Sequence, residues 1–134
     1  MSFVKEPHGE RMGPMPQSHK RSLDFPMEKQ TFDKGRIEVV TVGEMTIGRF
    51  VFEPGWRWSE SVKPIVKTDS CKIHHVGYVI SGRLKVVMND GMELELSPGD
   101  VYEVRPGHDA WVIGTEPFVA LELKSAAKYA KPSE

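Results

Sequence analysis

Residues 73–108 read IHHVGYVISGRLKVVMNDGMELELSPGDVYEVRPGH. Four short apolar runs, HHVGYVI, RLKVVM, MELEL and VYEV, are separated by Ser81-Gly82, Asn89-Asp90-Gly91, Ser97-Pro98-Gly99-Asp100 and Pro106-Gly107. Runs of this length, rich in Val, Ile and Tyr and bounded by Gly, Pro, Asn and Asp, predict antiparallel strands. Asp90-Gly91 suits a hairpin turn, because Gly accepts positive φ without steric cost and Asp tolerates it. Met92, Leu94 and Leu96 alternate with Glu93, Glu95 and Ser97, which predicts one buried face and one wet face.

The same pattern extends outward. GRIEVVTVGEMTIGRFVFEPG, 35–55, reads as two strands joined at Gly43-Glu44, with Ile37 and Val39 on one face of the first and Phe50 and Phe52 on one face of the second. Glu53-Pro54-Gly55 ends that pair, since Pro cannot donate to a ladder. DAWVIGTEPFVALELK, 109–124, reads as two final strands about a turn at 114–117. Between these blocks WRWSESVKPIVKTDSCK, 56–72, is irregular, and a long loop of this kind is more often functional than filler. Trp56 and Trp58 share a side of it, as core, interface or cavity-lining residues.

The order GYVISG at 77–82, a hairpin, PGD at 98–100 and RPGH at 105–108 resembles the cupin superfamily over roughly residues 36 to 123. The resemblance implies an all-β, antiparallel jelly-roll β-barrel. Cupins include oxygenases, isomerases, storage proteins and sensors, so it implies a scaffold more than an activity. The usual cupin metal ligands are two histidines separated by one residue, a glutamate shortly after them and a later histidine. With Gly82 placed on the glycine that ends the first motif, these positions fall on Thr68, Ser70, His75 and Ala110. None holds its usual residue, and His75 alone is a good ligand.

His75 shares strand parity with Gly77 and Val79, and His108 with Ala110 and Val112; the cupin alignment turns those faces inward, so the resemblance implies that both histidines approach each other at the barrel mouth. They are the candidate metal ligands, for Fe, Mn, Ni or Zn, with a third to come from Glu60, Asp69, Cys71 or His74. Each histidine also has a plain structural reading: His74 on the surface, His75 buried and hydrogen-bonded, His108 capping its turn. The candidate ligand-binding set is Trp58, Glu60, His75, Tyr102, His108 and Trp111 around one small-molecule cavity. No nucleophile-elbow spacing, phosphate cradle or CxxC pair is present in the sequence.

The 134 residues suffice for one domain with a substantial core. A net charge of -1 gives no electrostatic case for nucleic acid or an anionic membrane. No apolar run approaches the ~20 residues of a spanning helix, and the start of the chain has no secretory apolar region. A single cysteine, Cys71, fits a reducing compartment, and a cytoplasmic location is expected. Residues 1–31, with prolines at 7, 14, 16 and 26, read as a leader: disorder is expected for 1–20, and 22–32 as an arm that adds a strand to the barrel or to a partner. The barrel domain is expected over 32–124 and a frayed tail over 125–134. Covering an exposed sheet edge by pairing predicts a homodimer.

Three functions fit this reading. They are a small-molecule-binding sensor or carrier, a metal-dependent oxygenase or isomerase acting on a small carbonyl or carboxylate compound, and a mainly dimer-forming interaction module.

Overall fold

The structure, a computed structural model, describes residues 17–125 and 129–131. Nine strands follow one another: β1 Glu28–Phe32, β2 Gly35–Val42, β3 Met45–Phe52, β4 His75–Ser81, β5 Arg83–Met88, β6 Glu93–Leu96, β7 Val101–Val104, β8 His108–Ile113 and β9 Phe118–Glu122. Two four-residue helical turns, α1 Trp58–Ser61 and α2 Lys63–Val66, fill part of the 56–72 segment. The all-β, antiparallel architecture is the one the sequence predicts. The strands do not close into one hydrogen-bonded barrel, however. They form a six-stranded sheet, β1-β2-β3-β9-β4-β7, facing a three-stranded sheet, β6-β5-β8.

Period-2 alternation decides what lies between the sheets. Ile37 and Val39 of β2, Phe50 and Phe52 of β3, His75 and Val79 of β4, and Phe118 and Ala120 of β9 are buried, as are Leu84 and Val86 of β5 and Ala110 and Val112 of β8. Trp56 stacks on Phe52, ring centroids 3.9 Å apart. Burying each large apolar side chain of this set contributes about 1.5–3 kcal/mol. The expected burial of Met92, Leu94 and Leu96 holds only for Leu96: Met92 and Leu94 are exposed, because β6 is an edge strand and only its far end reaches the core.

The described residues before β2 and after β9 also join the body. β1 pairs with β2 through Glu28↔Val39 to Phe32↔Gly35, so the strand of the 22–32 arm lies on this chain's own sheet. Arg49 bonds both the Leu23 carbonyl and Asp24, and Thr41 N–H donates to Met27 Sδ. The disorder expected for 1–20 falls largely on residues 1–16, outside the described residues. In the segment read as a frayed tail, Ser125, Tyr129 and Ala130 are buried; 126–128 and 132–134 are outside the described residues. Tyr129 reaches the core beside Phe50, with ring centroids 4.9 Å apart.

Candidate metal centre

Strand parity carries His75 and His108 inward from opposite sheets, and their rings meet edge to face with centroids 5.2 Å apart. The loop before β4 delivers a third donor. Cys71 pairs with His108 as an isolated antiparallel bridge, its N–H donating to the His108 carbonyl at 2.8 Å and its own carbonyl accepting from Gly107 N–H at 2.6 Å. That clamp holds Cys71 Sγ 3.7 Å from His75 Nε2. One donor atom from each of Cys71, His75 and His108 lies within 4.8 Å of the other two, and all three residues are buried.

The other side of each ring is fixed. His108 Nδ1–H donates to the Arg105 carbonyl at 2.8 Å, which leaves Nε2 as the nitrogen available to Cys71 or an ion. His75 Nδ1 is 2.9 Å from Glu122 Oε1 and 3.1 Å from Ser125 Oγ. Glu122 is in turn held by the Ser125 hydroxyl at Oε1 and the Tyr102 hydroxyl at Oε2. The carboxylate, 2% exposed, thus has three hydrogen-bonding groups around it, which offset the cost of burying it.

These contacts set the proton affinities. Burial alone would push the Cys71 thiol up, but hydrogen bonds from His108 and His75 and the imidazole charges outweigh it and bring it down to about 6. Burial pulls His75 down, yet the charge of Glu122, with the bonds to Cys71 and Glu122, raises it to about 10. Burial and the neighbouring Glu122 carboxylate hold the Tyr102 phenol well above its ordinary value. A thiolate beside an imidazolium is therefore the favoured pairing at neutral pH when no ion competes for the lone pairs.

The donor set fits a metal ion. Ligand atoms around a tetrahedral Zn²⁺ sit about 3.5 Å apart, given Zn–S near 2.3 Å and Zn–N near 2.0 Å; the Cys71–His75 separation is 3.7 Å. One thiolate and two imidazoles suit Zn²⁺, Fe²⁺ or Ni²⁺ better than a hard cation. Both rings have an outer partner that fixes tautomer and direction, the arrangement found around metal-bound histidines.

Beside the donors lies a cavity of about 30 Å³, room for about two water-sized groups. It is lined by His75, His108, Tyr102, Glu122 and Tyr129 on its polar side and by aromatic and aliphatic side chains elsewhere. Of the residues singled out from the sequence, Trp58, His75, Tyr102 and His108 line it. Glu60 and Trp111 do not. Glu60 is exposed on α1, and Trp111 alternates with Ala110 and Val112 to the other face of β8, where Arg57 stacks over it at 4.1 Å. Among the proposed third ligands, His74 turns to the surface and bonds Glu103 at 2.7 Å, Asp69 is exposed, and Cys71 is the one beside the histidines.

The sequence reading missed Glu122, Ser125 and Tyr129. Glu122 was findable: Phe118, Ala120 and Glu122 share parity on β9, so the inward face of a core strand ends in a carboxylate. Ser125 and Tyr129 follow the last strand, where no periodicity indicates direction.

No protein-family model matches the chain, and no curated protein matches it. Solved structures do. An oxalate decarboxylase from Lactobacillus farciminis, in a formate complex, is similar at 20% identity and a TM-score of 0.53, over 76% of this chain and 32% of that one. A Klebsiella pneumoniae protein with a double-stranded β-helix domain is similar at 20% identity and a TM-score of 0.53, over 90% of this chain and 94% of that one. A protein of unknown function from Acidithiobacillus ferrooxidans reaches a TM-score of 0.54 at 16% identity. The fold is the cupin-type double-stranded β-helix. This chain spans about a third of the length of the oxalate decarboxylase it matches.

Proposed function

We propose that this is a metal-dependent protein in which Cys71, His75 and His108 hold one divalent transition-metal ion, Zn²⁺, Fe²⁺ or Ni²⁺, and that it acts on a small carbonyl or carboxylate compound seated in the adjoining cavity. The observation that carries this reading is the convergence of three buried donors from three separate segments, with both imidazoles oriented from behind. A bound ion supplies Lewis acidity toward an oxygen of the small molecule. The protein's own groups do the rest. Glu122 holds the His75 ring in register, Tyr102 and Ser125 hold Glu122 in place, and the aromatic wall excludes water. The oxalate decarboxylase of similar fold acts on a small carboxylate, which is compatible with a site of this size. Elemental analysis of tag-free protein is the test: near-stoichiometric metal in the native chain and its loss from Cys71→Ser and His108→Ala are expected, and metal retained by both variants sinks the reading.

A sensor or carrier role without turnover is the second reading. Every residue lining the cavity is buried, as in a site that encloses its ligand. A ligand that raises the melting temperature of protein stripped of metal would favour it. A homodimer is proposed as well, through the apolar outer face where Tyr78 of β4 pairs with the exposed Val101 of the edge strand β7. Sedimentation showing only monomer at micromolar concentration would remove that part.

A further inference from the structure

One buried side-chain polar atom among the described residues has no hydrogen-bond partner: Nε1 of Trp56. Its residue is 1% exposed and forms part of the cavity wall. A buried N–H without a partner costs about 1–3 kcal/mol, so its persistence calls for an acceptor that arrives from outside the fold. The position of this indole is not loose. The ring lies flat on Phe52 at 3.9 Å and 5°, and the backbone is pinned on both sides, Trp56 N–H to the Glu53 carbonyl and Val112 N–H to the Trp56 carbonyl.

The rest of the wall narrows the chemistry of the missing acceptor. Tyr102 spends its only proton on Glu122 Oε2, and Glu122 Oε1 accepts from Ser125 and His75. His108 Nδ1 is committed to Arg105. Of the remaining lining, Phe50, Phe52, Leu84, Val86, Leu96 and Phe118 offer no acceptor side chain, and Tyr129 brings one hydroxyl. The indole N–H and a metal held by the three donors both demand lone pairs. A ligand that satisfies both carries lone pairs at two ends and needs no acceptor in return.

We propose that Trp56 is a positioning residue that donates its indole N–H to one end of a small, acceptor-only group, of carboxylate or triatomic-anion type, whose other end meets the metal held by Cys71, His75 and His108. The proposal rests on the metal reading above and adds to it the chemical class of the ligand and the residue that selects it. The volume agrees, since about 30 Å³ holds about two water-sized groups.

The probe is azide, a linear triatomic anion with acceptors at both ends. Zinc-loaded protein with ¹⁵N-labelled indoles is titrated with sodium azide, and bound zinc is counted in the same sample. The chain has three tryptophans, so three indole signals are followed. Trp56 is assigned by its loss in Trp56→Phe or, if that variant does not fold, by elimination with Trp58→Phe and Trp111→Phe. The expected result is a saturable downfield shift of the Trp56 N–H alone, with azide bound about 5–10-fold more weakly by Trp56→Phe at unchanged zinc content. An unmoved Trp56 signal while azide binds, as when only a water answers the indole, overturns the proposal and leaves the metal reading standing. So does stoichiometric zinc with no azide binding, or equal azide affinity in a folded Trp56→Phe. Absence of stoichiometric zinc overturns both.

Discussion

Two buried glutamates show how single residues carry different duties in this fold. Glu122 faces the interior and acts on the candidate centre through His75. Glu122→Gln keeps the shape but loses the charge that orients and polarises the imidazole, so metal affinity should fall about 10–100-fold, read by competition with a chromophoric chelator. Unchanged affinity would show that the carboxylate is merely packed there. Glu38 lies on the other face of β2, 7% exposed, bonded by Arg49 Nε at 2.8 Å and Arg36 Nε at 3.1 Å. Burial would raise its pKa, and the two guanidinium groups outweigh that and hold it below the ordinary carboxylate value. A depressed folded-state pKa stabilises the native state above the unfolded value of about 4.3 and is lost as pH falls through the folded one. Glu38→Gln should therefore cost about 1.5–3 kcal/mol near pH 7 and progressively less below pH ~4. Denaturation at both pH values checks it, and an equal cost at both would contradict the ion-pair account.

At the scale of elements, the turns hold the two sheets in register. Gly82 ends β4 with φ +77°, and a Cβ there would run into the backbone of Pro117 and Phe118. Gly91, in the β5–β6 hairpin, has φ +94° but nothing within 4 Å of the same position. Gly82→Ala should thus destabilise by about 2–4 kcal/mol, since strain and collision add, and Gly91→Ala by about 1 kcal/mol from strain alone. Equal losses in chemical denaturation would remove the packing argument.

The same elements explain what was legible beforehand. Strands β2–β9 follow from period-2 runs and their Gly, Pro and Asp punctuation, and the inward direction of His75 and His108 from parity together with the cupin alignment. Trp111 could be placed by the same rule, because it is one residue from Ala110 and must face away from His108. Cys71 is different. It stands in an irregular stretch, and only the long-range pairing of Cys71 with His108 brings its sulfur to the histidines. Pairing across 37 residues leaves no local signal. The edge position of β6, which exposes Met92 and Leu94, is likewise a property of the assembled sheet.

As a whole molecule, the described residues form two facing sheets. Among the described residues, no helix is long and apolar enough to cross a membrane. The inward-facing cluster of thiol, imidazoles, carboxylate and phenol lies in a lining otherwise built from large apolar side chains. Such a cluster carries a desolvation cost that a plain structural core would avoid, and an ion bound there would offset it.

The central claim is that Cys71, His75 and His108 ligate one metal ion together. Cobalt(II) substitution reads this most directly, because the ion's absorption reports both its geometry and any bound thiolate. One equivalent of cobalt should give an intense visible spectrum of tetrahedral type and a thiolate-to-cobalt charge-transfer band. The band should vanish in Cys71→Ser, and both features should vanish in the His75→Ala, His108→Ala double variant. A weak, octahedral-type spectrum without the charge-transfer band, or a spectrum unaltered by these substitutions, would contradict it.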